Sequence, residues 1–208
     1  MQKSGAFETL YGGAAGGGKT NLLVNLARGY RSALLIRRTF PQLEDSLVLE
    51  SKKWYGDLKH YNSSKHTWQF PDGRRVRMGH LERDDDMFQY QGAEFDFLGI
   101  DELTQLNRLP YEYLLSRVRT TTGRACRVVC TSNPGGAGHA WVKARWAPWL
   151  DVRHPNPAKP GEVRWFTRDS TGAEIEVEAG HPDAMSRTFI PARLADNPYL
   201  GDAYRRTL

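Results

Sequence analysis

Gly13 to Thr20 read Gly-Ala-Ala-Gly-Gly-Gly-Lys-Thr and satisfy the pattern G-x-x-x-x-G-K-[ST] in full. No other stretch limits the possible folds of this chain so tightly. The pattern works only where a strand enters the loop and a helix leaves it. Both flanks are present. Phe7-Glu8-Thr9-Leu10-Tyr11 reads as a short strand, and Leu22, Leu23, Leu26, Ala27 and Tyr30 recur at helical spacing. The loop's composition follows from its task. A phosphate chain is wrapped by backbone N–H groups at a helix N-terminus, where the dipole favours anions. Side chains would hold the backbone off, so Gly13, Ala14, Ala15, Gly16, Gly17 and Gly18 form the wrap. In such a loop Lys19 is expected to reach the β- and γ-phosphates of ATP, and the Thr20 hydroxyl to ligate Mg2+. A plain glycine-rich turn has no need of Lys-Thr behind its last glycine.

The remainder must supply a sheet for this loop to stand on. A length of 208 residues suffices for one sizeable α/β domain with its own core, and 39% hydrophobic with 25% charged residues is a globular balance. The net charge of +5 permits a polyanionic partner, but the basic residues are scattered and do not select one. Cys126 and Cys130 make neither a disulfide framework nor a metal set, and read as thiols in a reducing compartment. No apolar run reaches the roughly 18 residues of a membrane span, and no signal-peptide core is present.

Ser32 to Ile36 is a continuous apolar run, as expected of a buried parallel strand. It ends in Arg37-Arg38. Strand C-termini form the ligand edge of an open α/β sheet, so Arg37 is a candidate for nucleotide contact; solvated charge is the other reading, and both stay open. Gln42 to Tyr55 reads as a helix. Thr67–Phe70 and Arg75–Met78 alternate around Pro71-Asp72-Gly73, the signal of a hairpin. Arg74, Arg75 and Arg77 make it basic. Such a hairpin either faces nucleic acid or forms a charged sheet edge, and charge is common on edges. Asp84-Asp85-Asp86 reads as a solvated turn or helix cap rather than a metal site.

Phe95 to Ile100 is a mostly apolar strand that ends in Asp101-Glu102. Asp101 is expected to hold Mg2+ through water, and Glu102 to orient and deprotonate the attacking water. This strand stands about 80 residues beyond the phosphate loop and is expected beside the loop strand in the sheet. Pro110 to Arg119 reads as a helix. Arg127–Thr131 is a further buried strand, expected to flank the loop strand, and its tip carries Asn133, placed to sense the γ-phosphate. Trp141, Trp146 and Trp149 have the spacing of core positions on a helix. The core is expected over residues 1–150, with 151–208 as a small β-rich lid packed on it, containing a second hairpin and a last strand, Arg187–Ile190.

The phosphate loop, LLIRRTFPQLEDS, FDFLGIDE, TSNPGG with His139-Ala140-Trp141-Val142, and FIPARLADNPYL follow one another in this order. Together they resemble the large terminase subunit of tailed bacteriophages over nearly the whole chain. The resemblance implies a P-loop NTPase with a mostly parallel central sheet flanked by helices. It also implies the ATPase domain of a motor that threads double-stranded viral DNA into a procapsid. By resemblance Lys19 and Thr20 are the Walker A pair, Asp101 and Glu102 are Walker B with the catalytic glutamate, and Thr131-Ser132-Asn133 is the coupling motif. Its implied partners are the portal protein, the small terminase subunit and further copies of itself in a ring, usually a pentamer, in the cytoplasm of the infected host. The isolated chain is expected to be monomeric.

Two departures matter. Large terminases usually carry a nuclease domain with an acidic two-metal site; this chain holds no such acidic constellation, and no nuclease activity is expected of it. Some members place a trans-acting arginine shortly before the Walker B strand, where this sequence reads Gln89-Tyr90-Gln91-Gly92-Ala93. Arg83, Arg117 and Arg119 are the remaining candidates for that catalytic role. The competing function is a helicase or recombinase-like ATPase on single strands, which would add aromatic stacking platforms along a basic groove.

Overall fold

The computed structural model describes residues 5–13, 18–121 and 123–192, and its strands form one ten-stranded sheet. The chain begins with β1 (Glu8–Gly13), α1 (Lys19–Ala27) and β2 (Ser32–Arg37). A helical stretch follows, built from α2 (Phe40–Leu43), a π-helical turn (Glu44–Val48) and α3 (Leu49–Trp54). The hairpin region is β3 (Tyr61–Asn62), β4 (Thr67–Gln69) and β5 (Arg75–His80). Then come β6 (Phe97–Ile100), α4 (Arg108–Leu115), β7 (Arg127–Ser132), α5 (His139–Arg145) and α6 (Ala147–Leu150). The last strands are β8 (Arg164–Arg168), β9 (Glu174–Val177) and β10 (Met185–Ala192).

The sheet order is β3-β4-β5-β2-β6-β7-β1-β10-β8-β9. Its centre, from β5 to β10, is parallel, and the outer strands on both sides run antiparallel. The central strands are apolar on both faces because both faces are covered. Leu34, Ile36, Leu98 and Ile100 pack in one layer with Tyr111 and Leu114 of α4 and Val142 of α5. Ala33, Leu35 and Phe97 pack in the other with Leu23, Val24 and Ala27 of α1. Trp146 is fully buried and donates Nε1–H to the Thr188 carbonyl, and Trp141 donates to the Leu106 carbonyl, as core positions should.

Three expectations need correction. The strand ending in Asp101 is not beside the loop strand, because β7 lies between β6 and β1. Helix α1 closes that gap by packing across β2, β6 and β7. Nor do the described residues after Leu150 form a lid. β10 pairs in parallel with β1, and β8 and β9 continue the same sheet beyond it. The reason lies in pairing: β1 carries backbone groups on two sides, β7 satisfies one, and only β10 satisfies the other. The predicted helix to Arg119 also stops early, at Leu115. Beyond it the backbone turns to meet the start of β6, with Arg119 N–H donating to the Phe95 carbonyl at 3.0 Å. No helix among the described residues is long and apolar enough to cross a membrane.

One buried cluster has no counterpart in the sequence reading. Glu8, at the start of β1, is fully buried. Arg145 of α5 grips it with a two-pronged guanidinium, Nε to Oε2 at 2.9 Å and Nη2 to Oε1 at 2.8 Å. Arg187 of β10 reaches Oε1 at 3.3 Å and also pairs with Glu174 of β9, and the Tyr111 hydroxyl donates to Oε2. Burial alone would raise the Glu8 carboxyl, but Arg187, Arg145 and the hydrogen bonds outweigh it and hold the pKa at about 2.

Candidate functional site

The two described ends of the glycine loop are shaped for it; Ala14 to Gly17 lie outside the described residues. Gly13 has φ of 136°, and a Cβ there would stand 2.5 Å from the carbonyl oxygen of Ala192 in β10. Gly18, with φ of 68°, precedes the first turn of α1 in the left-handed region. Gly13→Ala combines a left-handed backbone with a main-chain clash. It is expected to cost roughly 1–3 kcal/mol, lowering the melting temperature by about 2–12 °C. A melting curve superimposable on that of the parent protein would show that β10 does not press on the loop.

Asp101, one residue past β6, is the hub, and its side chain is 1% exposed. Its Oδ1 accepts from the Thr131 hydroxyl at 2.5 Å. Its Oδ2 accepts from the Thr20 hydroxyl at 2.9 Å and from Arg37 Nη1 at 2.6 Å. The first turn of α1 and the ends of β2, β6 and β7 therefore meet on one carboxylate. Sequence reasoning left the role of Arg37 open between ligand edge and solvated charge; the ion pair with buried Asp101 removes the second reading.

Glu102 follows in the left-handed conformation, φ 59° and ψ 58°, which is rare for a residue with a side chain and stores on the order of 1–3 kcal/mol. Its N–H donates to the Thr131 hydroxyl at 3.1 Å, so that hydroxyl joins the backbone of Glu102 to the carboxylate of Asp101. The turn directs the Glu102 carboxylate onto Asn133. Oε1 accepts from Asn133 Nδ2 at 2.6 Å and Oε2 from the Asn133 N–H at 3.2 Å. The same Asn133 accepts from Lys19 Nζ through Oδ1 at 2.7 Å. Lys19, Asn133 and Glu102 form one hydrogen-bonded line. Thr104, which the sequence did not suggest, pins the far side: its hydroxyl donates to the Asn133 carbonyl at 3.1 Å, and its carbonyl accepts from Gly138 N–H at 2.7 Å. A Cβ at Gly136 would stand 2.6 Å from that carbonyl, so the glycines after Asn133 were the available signal.

Burial, then the negative Asp101, raise the Glu102 carboxyl above its ordinary range, with Arg37 and Lys19 opposing. Burial lowers Lys19 against the pull of Glu102 and Asp101. Two titratable groups shifted by burial and set side by side make this a functional-site candidate. The donor set fits a Mg2+-bound nucleotide: a hydroxyl and a carboxylate for a hard dication, and a 7% exposed lysine for phosphate. Arg37 Nε is buried and among the described residues has no hydrogen-bond partner, which leaves a donor for a further anionic oxygen.

The family described as "Terminase large subunit, T4likevirus-type, N-terminal" matches residues 11–208. The chain belongs to this family. No curated protein sequence matches this terminase chain. Its fold is similar to that of the large terminase from a thermophilic bacteriophage, with a TM-score of 0.65 at 13% identity, over 97% of this chain and 44% of that one. The same phage's large terminase in complex with ADP aligns with a TM-score of 0.61 at 14% identity, over 98% of this chain and 44% of that one. This terminase chain thus spans under half the length of those proteins.

The terminase fold gathers Lys19, Thr20, Arg37, Asp101, Glu102 and Asn133 and sets Gly13 and Gly18 at the loop's ends. It does not bring Arg117 or Arg119 to them. Arg119 pairs with Glu94 at 2.9 Å, and the Arg117 guanidinium lies 5.2 Å from the Tyr113 ring centre. Both neighbour the start of β6, while the site stands at its end, so neither acts within this chain's own site. In the acidic run Asp86 accepts from the Arg83 N–H at 2.8 Å, a local cap, and Asp84 accepts from the side-chain amide of Asn107.

Proposed function

We propose that this chain hydrolyses Mg2+–ATP and couples the hydrolysis to movement of double-stranded viral DNA into a procapsid. The observation that carries the reading is the line Lys19–Asn133–Glu102 joined to the Thr20–Asp101–Arg37 hub. Mg2+, held by Thr20 and through water by Asp101, would neutralise the β- and γ-phosphate oxygens. Lys19 binds phosphate. Glu102 accepts the proton of the attacking water, and its raised pKa suits a base that works near neutral pH. Asn133 orients Glu102 through both its amide and its backbone N–H, and it also holds Lys19. A change in what Lys19 binds is therefore transmitted to the base through one side chain. Because Arg117 and Arg119 stand away from this site, an arginine from a neighbouring copy in a ring completes it. The portal protein and the small subunit are the further partners, in the cytoplasm of the infected cell.

Duplex rather than single-stranded DNA is favoured by the tryptophans, since Trp141 and Trp146 are hydrogen-bonded into the core and leave no stacking platform there. The test is Mg2+-dependent ATP hydrolysis by the chain, alone and with duplex or single-stranded DNA. Hydrolysis accelerated by duplex is expected. A folded protein without hydrolysis would exclude the enzyme assignment, and acceleration by single strands alone would select the helicase-like reading.

A further inference from the structure

We propose that a cationic groove on the hairpin side of the sheet holds the sugar-phosphate backbone of duplex DNA, an inference that rests on the DNA-moving function above. The groove is about 550 Å³. Lys65, Arg75 and Arg77 line it together with His66 and His80, and among the described residues no carboxylate does. The register explains the convergence. Arg77 stands opposite Thr67 and Arg75 opposite Gln69, so those side chains share one face of the hairpin. The intervening pair, Trp68 and Val76, is fully buried on the other face.

None of these three permanent cations forms an ion pair among the described residues. Carboxylates are within reach of the hairpin elsewhere: Arg74, on the adjoining turn, is paired with Asp72 at 2.7 Å. The nearby Asp86 is committed to the Arg83 N–H. Bringing like charges together without counter-charge is unfavourable, and a ligand with several spaced negative charges reverses the sign. The rest of the lining is chiefly neutral hydrogen-bonding groups, the kind that position a phosphate backbone. Among the described residues that line the groove, Phe40 is the one exposed Phe, Tyr or Trp, at 37%, and its ring is already flanked by His66 at 5.3 Å and His80 at 5.6 Å. Strand binding by successive base stacking needs more open rings than that.

The groove also adjoins the catalytic hub. His80 pairs in register with Arg37, whose guanidinium holds Asp101. Leu81 N–H donates to the Arg37 carbonyl at 3.1 Å, and Arg38 Nη1 donates to the Leu81 carbonyl at 2.8 Å. The segment from Arg37 to Phe40 therefore touches the site with its first residue and the groove with its last.

The experiment is titration of a labelled mixed-sequence duplex with the whole chain, by fluorescence anisotropy at several salt concentrations. Lys65→Glu/Arg75→Glu, Arg77→Gln and the distant control Lys159→Glu are compared, with melting curves and nucleotide affinity as checks on folding. In the hairpin variants duplex affinity is expected to fall roughly tenfold or more, and the log–log salt slope to shrink by about 0.9 for each phosphate no longer neutralised. The control is expected to match the parent. Unchanged duplex affinity in folded hairpin variants overturns this proposal and leaves the DNA-moving function standing. A parent chain that prefers single strands, or binds no duplex, overturns both.

Discussion

Glu102→Gln is expected to lower ATP turnover by roughly 10²- to 10⁴-fold while leaving Mg2+-nucleotide affinity near that of the parent, the range general-base removal commonly gives. The substitution keeps the shape of the side chain and an acceptor for the Asn133 side-chain amide, removes the proton-accepting charge, and gives up the bond from the Asn133 backbone N–H. A rival role, that Glu102 caps the short helical turn at Leu103–Gln105, is disfavoured by geometry: its side chain makes no cap hydrogen bond and reaches Asn133 instead. Stability supplies a second readout. A carboxyl whose folded pKa is raised contributes its stability at pH below its unfolded value, and that contribution is lost as pH rises through the folded one. The ionised Glu102 therefore contributes a loss of stability as pH rises through its folded value, and that pH-dependent loss should be absent from Glu102→Gln. Asp101→Asn should behave differently. It weakens the carboxylate that receives Thr20, Thr131 and Arg37, so nucleotide affinity and Mg2+ dependence should both suffer. Affinity and turnover measured for the two variants decide the matter; near-normal turnover by Glu102→Gln would remove it as the base.

Glu8→Ala should destabilise the protein by roughly 3–5 kcal/mol, because it removes the two-pronged partner of Arg145 and leaves two buried guanidiniums, Arg145 and Arg187, sharing the single carboxylate of Glu174. The pH dependence carries a sign. Glu8 is held at about 2 against 4.5 for an unperturbed carboxyl. Its contribution is therefore complete above the unfolded value and is lost as pH falls from about 4.5 towards about 2. The amount is on the order of 3 kcal/mol. Denaturant unfolding of the parent and Glu8→Gln at a series of pH values measures this. The variant should lose less stability than the parent across that window, and two parallel profiles would show that the cluster does not hold a charged Glu8. Nucleotide affinity, measured where both proteins are folded, should be unaffected, since Glu8 stands at the opposite end of β1 from the glycine loop.

What could be read in advance was chemistry confined to a short stretch. A phosphate wrap needs glycine beside Lys-Thr, and a strand expected to hold a metal needs to end in acid, so Lys19, Thr20, Asp101 and Glu102 stood out as candidates, and the fold brings them together. Asn133 was legible for the same reason, as a polar residue at a buried strand's tip. Order in the sheet was not, because a parallel strand's apolar run carries no mark of its neighbours, and β7 came between β6 and β1 unannounced. The misreading of the C-terminal segment has the same source: the alternation of β8 and β9 suits a free-standing hairpin as well as an edge extension. Glu8 was invisible because a lone carboxylate in Phe-Glu-Thr-Leu-Tyr looks like a solvated position. The arginines that make its burial tolerable, Arg145 and Arg187, lie 137 and 179 residues away. Arg75 and Arg77 were seen but could not be weighed, since whether a cation meets a carboxylate depends on what the fold places opposite it.

The pairing of β1 with β10 sets the order in which this part of the sheet can be completed during synthesis. The strand that leads into the phosphate loop leaves the ribosome long before its partner, Met185–Ala192, which is made last among the described strands. At about 5–20 residues per second, a lag of 179 residues is roughly 10–40 seconds. Until β7 is made both edges of β1 are open, and from then until β10 appears one edge stays open and Glu8 lacks Arg187, so a nascent chain already carrying Lys19 through Asn133 still lacks the strand that flanks Gly13. A ribosome stalled before that strand would display β1 paired on its β7 side alone, with Gly13 not yet packed against Ala192.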